Sequence, residues 1–235
     1  MLVIGHRGCK YAKENTIDAF KCAIDDGVDM IELDIQYTKD MEIIVFHDIN
    51  CERLTPFKGL IKNKKFTELK KYGVPLLEEV LNFIYLKKSS VKIYIEFKGH
   101  YNDIFLKKVI NLLKKHNKQE FYLASFNYNY FTNLLDTIKI LKKKEQYNYN
   151  FKIGYITSNN YKLIHRIEEA NFISINHEQI NEDIVTYFKK FELNIYTYTV
   201  NRKSILNNVL KYNIDGIISD IPCHIINWIQ KVPTN

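Results

Sequence analysis

Nine short runs rich in β-branched and aromatic residues recur along this chain, with segments of helical period filling most of the gaps between them. The runs lie at 2–5, 30–35, 43–46, 91–97, 121–124, 152–156, 172–175, 194–198 and 216–218. Helical patterns occupy 16–25, 76–85, 104–115, 130–142, 161–169, 183–190 and 204–212; in the first, Ile17, Phe20, Ala23 and Ile24 form one stripe. Several strands are almost wholly apolar, the pattern of strands buried on both sheet faces. Such alternation restricts the chain to a parallel α/β architecture. Over 235 residues it predicts one (β/α)8 TIM barrel spanning 1–235, with a doubly wound sheet as the alternative.

Two features break the pattern. Nine candidates exceed the eight strands of a barrel, so one is misassigned or peripheral. No helix fits between 30–35 and 43–46; Thr38-Lys39-Asp40 reads as a turn, making that connection an extended return or a hairpin. Residues 48–75, with Pro56, Gly59, Gly73 and Pro75, are the least regular stretch. They predict a long loop or small insertion after the third strand, overhanging the catalytic face.

Composition narrows the function classes. No apolar run approaches the roughly 20 residues needed to cross a bilayer. Met1 leads straight into an apolar strand with no basic leader, so a cytoplasmic location is expected. Cys9, Cys22, Cys51 and Cys223 lack the density of a disulfide scaffold and the spacing of a zinc site, and read as free thiols. The net charge of +7 is spread over short lysine runs typical of solvated faces, and no nucleic-acid-binding motif accompanies it. No feature points to an oligomeric state.

The chemistry is concentrated at strand ends. Glu32 and Asp34 alternate with Ile31, Leu33 and Ile35, so both carboxylates face one side of the strand. Two adjacent carboxylates in an apolar sheet need a cation, and all-oxygen ligation suits Mg²⁺ or Ca²⁺; an edge strand in water is the alternative. Glu96 and Lys98 repeat the arrangement, either as a further oxygen ligand with a cation aimed at an anion, or as a surface ion pair. His6 and His47 each follow a strand, where imidazoles suit acid–base work. Arg7 offers a planar fork for phosphate oxygens, and Gly8 lets backbone approach closely. Together these groups supply what phosphodiester cleavage requires: a base, an acid and positive charge around the phosphoryl group.

Gly5-His6-Arg7-Gly8, Glu14-Asn15-Thr16, Ile31-Glu32-Leu33-Asp34 and His47-Asp48 occur in that order. Glu96-Phe97-Lys98-Gly99, Thr199-Val200-Asn201 and Asp215-Gly216-Ile217-Ile218-Ser219-Asp220 follow them. Nearly end to end, the chain resembles the glycerophosphodiester phosphodiesterase family. The resemblance implies a barrel of the phospholipase C-like phosphodiesterase type. It implies hydrolysis of small glycerophosphodiesters, such as glycerophosphocholine or glycerophosphoethanolamine, to sn-glycerol 3-phosphate and an alcohol. Carried over, it makes His6 and His47 the acid–base pair, Glu32, Asp34 and Glu96 the ligands of one Mg²⁺ or Ca²⁺, and Arg7 and Lys98 phosphate contacts. Attack by a substrate hydroxyl, through a cyclic phosphate, and direct attack by water are both open. Lysophospholipase D activity is the enzymatic alternative, and a non-catalytic phosphate-binding barrel the other. Glu14 either orients the site or caps the first helix, and Asn201 either reaches the site or bonds within its loop. The chain departs from the family in having Lys13 where proline is usual, which predicts a looser first loop, and Tyr198 where tryptophan is common, at a position that stacks on substrate. Its insertion also lacks the usual threonine-rich pattern.

Overall fold

The computed structural model describes residues 1–87, 90–99, 102–145, 151–159 and 161–230. The strands are β1 (Leu2–Gly5), β2 (Met30–Tyr37), β3 (Ile43–Val45), β4 (Lys92–Phe97), β5 (Phe121–Ser125), β6 (Phe151–Thr157), β7 (Phe172–Asn176), β8 (Asn194–Tyr198) and β9 (Gly216–Ser219). The helices are α1 (Ile17–Asp25), α2 (Phe66–Leu69), α3 (Leu77–Leu86), α4 (Asp103–Lys115), α5 (Tyr128–Glu145), α6 (Glu182–Lys189), α7 (Lys203–Val209) and α8 (Pro222–Gln230). Eight strands pair in parallel in the order β1-β9-β8-β7-β6-β5-β4-β2, and β2 returns to β1 to close a barrel. The ninth candidate is β3. It pairs antiparallel with the end of β2 as a hairpin outside the ring, which accounts for both the surplus strand and the missing helix.

Alternation along the strands divides the apolar residues into two sets. Ile31, Leu33, Ile35, Ile93, Ile95 and Phe97 face the helices in the main core. Met30, Tyr94, Tyr122, Phe172 and Tyr196 point inward and plug the barrel, with the Tyr94 and Ser174 hydroxyls 2.9 Å apart. Each such aliphatic or aromatic side chain, once fully buried, contributes about 1.5–3 kcal/mol. Beyond this plug, towards the C-terminal mouth, the inward side chains of β2 and β4 are the carboxylates Glu32, Asp34 and Glu96.

Residues 48–75 carry two short 3-10 turns and the one-turn α2. They cover a small apolar cluster of Ile44, Phe46, Cys51, Ile61, Leu69 and Val74. An Asn50–Leu60 bridge ties the segment to itself. Two expectations need correction. Residues 161–169 form only the 3-10 turns Tyr161–Leu163 and Ile167–Glu169, because Arg166 between them adopts a left-handed φ of 59° that ends helical continuity. Cys9 and Cys22 are not free thiols: they form a disulfide across 13 residues, joining the loop after β1 to α1. Only long-range geometry brings them together, so their spacing gave no signal. Cys51 and Cys223 are free.

Candidate active site

The mouth is assembled from strand register. In the parallel β2–β4 pair Asp34 lies opposite Glu96, and Glu32 opposite Tyr94, so three inward carboxylates converge. Their oxygens lie within 4.8 Å of one another and all three residues are buried. Several bonds hold them. The Arg7 backbone N–H donates to Glu32 Oε2 at 2.8 Å, and Asn15 Nδ2 to Asp34 Oδ2 at 2.8 Å. Lys98 Nζ donates to Glu96 Oε1 at 2.5 Å and lies 3.6 Å from Asp34 Oδ1. Glu32 Oε1 and Asp34 Oδ1 are nonetheless buried with no hydrogen-bond partner among the described residues. Burial and the neighbouring Asp34 and Glu96 push the Glu32 carboxyl well above its usual range. Burial and Asp34 push Glu96 up to about 7. Burial also opposes ionisation of Asp34, but Lys98, His47, Arg7 and the Asn15 bond together hold it below the usual range. Three oxygen donors with two orphaned buried atoms and strained ionisation fit a hard divalent cation.

His6 leaves β1 and pairs through Nδ1 with Asp220 Oδ1 at 2.6 Å. Asp220 is held in turn by Asn201, whose Nδ2 donates to Oδ2 while its Oδ1 accepts from the Asp220 N–H and the Ser219 hydroxyl. His47 pairs through Nδ1 with Asp48 Oδ1 at 2.7 Å, and burial keeps this imidazole below its ordinary pKa. Each pairing orients a ring and leaves Nε2 as the nitrogen available to a substrate.

His6, Arg7, Glu32, His47, Glu96, Lys98 and Tyr198 line a single cavity of about 220 Å³ at the mouth. The Tyr198 hydroxyl donates to the Thr157 carbonyl, and its ring sits edge-on to Phe126. A second cleft of about 530 Å³ shares Glu96, Lys98 and Phe126 with the first. From the 48–75 segment it is lined by Ile49, Leu60 and Lys62.

Asn201 touches Asp220 and lines neither cavity. Glu14 does not cap α1: Thr16 does, accepting from the Ala19 N–H, while Glu14 accepts from Arg7 Nη1 at 3.0 Å. Sequence reasoning missed Asn15, Asp48, Arg53 and Asp220 as site-holding residues. Asn15 beside Glu14 and Asp48 beside His47 carried a local signal, whereas Arg53 and Asp220 lie far in sequence from Glu14 and His6, the groups they hold. His116, His165, His177 and His224 line neither cavity, and His100 lies outside the described residues.

The sequence profile of the glycerophosphoryl diester phosphodiesterase family matches residues 6–224. The chain belongs to that family. It is therefore a phosphoric diester hydrolase. A glycerophosphodiester phosphodiesterase of Caldanaerobacter subterraneus is 32% identical to it, over 98% of both chains. A human lysophospholipase D is 33% identical over 49% of this chain and 42% of its own length. An Oleispira antarctica phosphodiesterase, solved with its product sn-glycerol 3-phosphate, superposes with a TM-score of 0.84 at 22% identity, covering 98% of this chain and 97% of that one.

Against the family pattern, two expectations change. Lys13, in place of proline, does not loosen the first loop: its Nζ donates to the carbonyls of Leu54 (3.3 Å) and Tyr72 (2.6 Å), pinning the loop to the 48–75 segment. Gly8 serves packing on the helix. At its φ of +90° an added Cβ would lie 2.5 Å from the Ala19 backbone in α1.

Proposed function

We propose that this phosphodiesterase hydrolyses glycerophosphodiesters to sn-glycerol 3-phosphate and an alcohol, with His6 and His47 exchanging protons above Glu32, Asp34 and Glu96. The observation that carries the reading is two Asp-paired imidazoles lining the same small cavity as Glu32 and Glu96, with Asp34 buried against them. Arg7 and Lys98 border that cavity and would bind phosphate oxygens, Arg7 as a fork and Lys98 as a point charge. One histidine removes the proton of the attacking hydroxyl, from water or from the substrate; the other delivers a proton to the leaving alkoxide. Glu32, Asp34 and Glu96 would hold one Mg²⁺ or Ca²⁺, which supplies charge neutralisation and polarisation of the phosphoryl group. Tyr198, with its hydroxyl tied to Thr157, keeps an aromatic wall against the substrate.

A second reading, lysophospholipase D activity, is favoured by the apolar cleft under Ile49, Leu60 and Phe126, which would take an acyl chain. No described helix is long and apolar enough to cross a membrane. Disulfides are rare in the cytosol, and the Cys9–Cys22 pair therefore weighs against the cytoplasmic expectation.

A coupled assay for released glycerol 3-phosphate, run over glycerophosphodiesters and, with product detection, over lysophospholipids, tests both readings. Turnover of the deacylated diesters supports the first. Turnover confined to lysophospholipids replaces it with the second, and turnover of neither sinks both.

A further inference from the structure

Arg53 occupies a position that neither the cation cluster nor the proton-transfer pair explains. It projects from the 48–75 segment, and its guanidinium is shared between two carboxylates on different parts of the chain. Nε donates to Asp48 Oδ2 at 2.5 Å and Nη2 to Asp48 Oδ1 at 3.1 Å. Nη1 donates to Glu14 Oε2 at 2.7 Å and Nη2 to Glu14 Oε1 at 2.6 Å. Both carboxylates pass the contact inward. Asp48 Oδ1 also holds His47 Nδ1, and Glu14 Oε1 also holds Arg7 Nη1.

The side chains therefore run His47–Asp48–Arg53–Glu14–Arg7 in one unbroken line. We propose that Arg53 is a positioning residue that sets the distance and orientation between the His47 imidazole and the Arg7 guanidinium. The proposal rests on the reading of those two groups as proton carrier and phosphate contact. Charge supports it. Without Arg53, Glu14 and Asp48 become two anions bonded to no common cation, and their repulsion would turn each away. His47 would lose its anchor and Arg7 would be drawn out with Glu14. Two bidentate pairs fix direction as well as distance, which a single point charge does not. Although burial opposes it, Arg53 and His47 hold the Asp48 carboxyl down to about 2, so Asp48 is an anion facing Arg53 throughout the working pH range. Lys13, bonded to the Leu54 and Tyr72 carbonyls, fastens the same two loops beside it.

The test compares wild type with Arg53→Ala, Arg53→Lys, Glu14→Ala and the Arg53→Ala/Glu14→Ala double variant. It reads kcat and KM for a glycerophosphodiester, and the ring ¹H–¹⁵N signals of His47. Misplacing reacting groups by about 1 Å costs on the order of 100-fold, so kcat should fall by roughly that factor in Arg53→Ala. Arg53→Lys should recover only part of it, and added guanidinium ion should partly rescue Arg53→Ala, whose site is half-exposed. The double variant should lose no more than the worse single one, because both break one line. The Nδ1–H signal of His47 should disappear or exchange fast in Arg53→Ala. Lys58→Ala, an exposed charge of the same segment, should change nothing. Near-normal kcat and KM in Arg53→Ala, additive losses in the double variant, or lost activity with an unchanged His47 spectrum would each overturn the proposal. Should wild type release no glycerol 3-phosphate at all, the functional reading fails, and the His47 spectrum still decides the role of Arg53.

Discussion

Glu32 and Asp34 are legible in the sequence because carboxylates at i and i+2 in an apolar strand are physically costly without a cation, and Glu96 stands in the same way two residues before Lys98. What held them was not visible. Asn15 bonds Asp34 across 19 residues and Asp220 bonds His6 across 214, separations that only the closed barrel brings together. The carboxylates make a pH prediction. Burial and Asp34 raise Glu96 to about 7 from an ordinary 4.5, so below neutrality the cation must displace a proton. Affinity for Mg²⁺ or Ca²⁺ should then tighten as pH rises, on the order of tenfold from pH 6 to 7, with proton release on binding. Calorimetry in buffers of different ionisation heat measures both; a pH-independent affinity would refute the ligand set. At the histidines, His6→Ala and His47→Ala should each lose about 10²- to 10⁴-fold in kcat while keeping the wild-type circular dichroism spectrum. Near-normal turnover in either variant would remove that residue from the proton-transfer pair.

Elements were legible in proportion to how far they obey one period. Strands 30–35 and 91–97 and helices such as α4 alternate cleanly, and the structure extends or trims them by only a few residues. The 161–169 segment has helical spacing, yet a left-handed Arg166 splits it, and apolar spacing carries no record of a backbone turn. The loop after β1 is the element under most constraint. Gly8 rests on Ala19, Cys9 is bonded to Cys22, and Lys13 reaches the 48–75 segment. Gly8→Ala should destabilise the fold by about 1–3 kcal/mol through overpacking and positive-φ strain, read as a lowered denaturation midpoint. A midpoint equal to wild type would mean the loop can shift freely. Thiol titration of the unfolded, unreduced protein should count two groups, Cys51 and Cys223, and four after reduction. Four before reduction would contradict the Cys9–Cys22 bond. Opening this loop should cost about 3 kcal/mol, the scale for a closed loop of comparable length.

For the whole molecule, alternation of strand and helix was enough to read a barrel, and the polar residues at strand ends were enough to read its catalytic face. The surplus strand found its place as a hairpin on β2, and the family match over residues 6–224 agrees with the closed ring. Which groups share a wall was the hidden part. The 48–75 segment reads from its sequence as a loop or small insertion overhanging the catalytic face, but that reading does not say which of its residues take part: it brings Arg53 to Glu14 and Asp48, and Ile49, Leu60 and Lys62 to the outer cleft. Buried carboxylates and paired histidines at this mouth are proposed to form one cation-dependent phosphodiesterase site. It is tested most directly by release of glycerol 3-phosphate from a glycerophosphodiester after exhaustive chelation and then after return of Mg²⁺ or Ca²⁺. Turnover should be lost on chelation, restored by the cation in wild type, and not restored in Glu32→Gln; turnover that survives chelation unchanged would rule out a cation-dependent site.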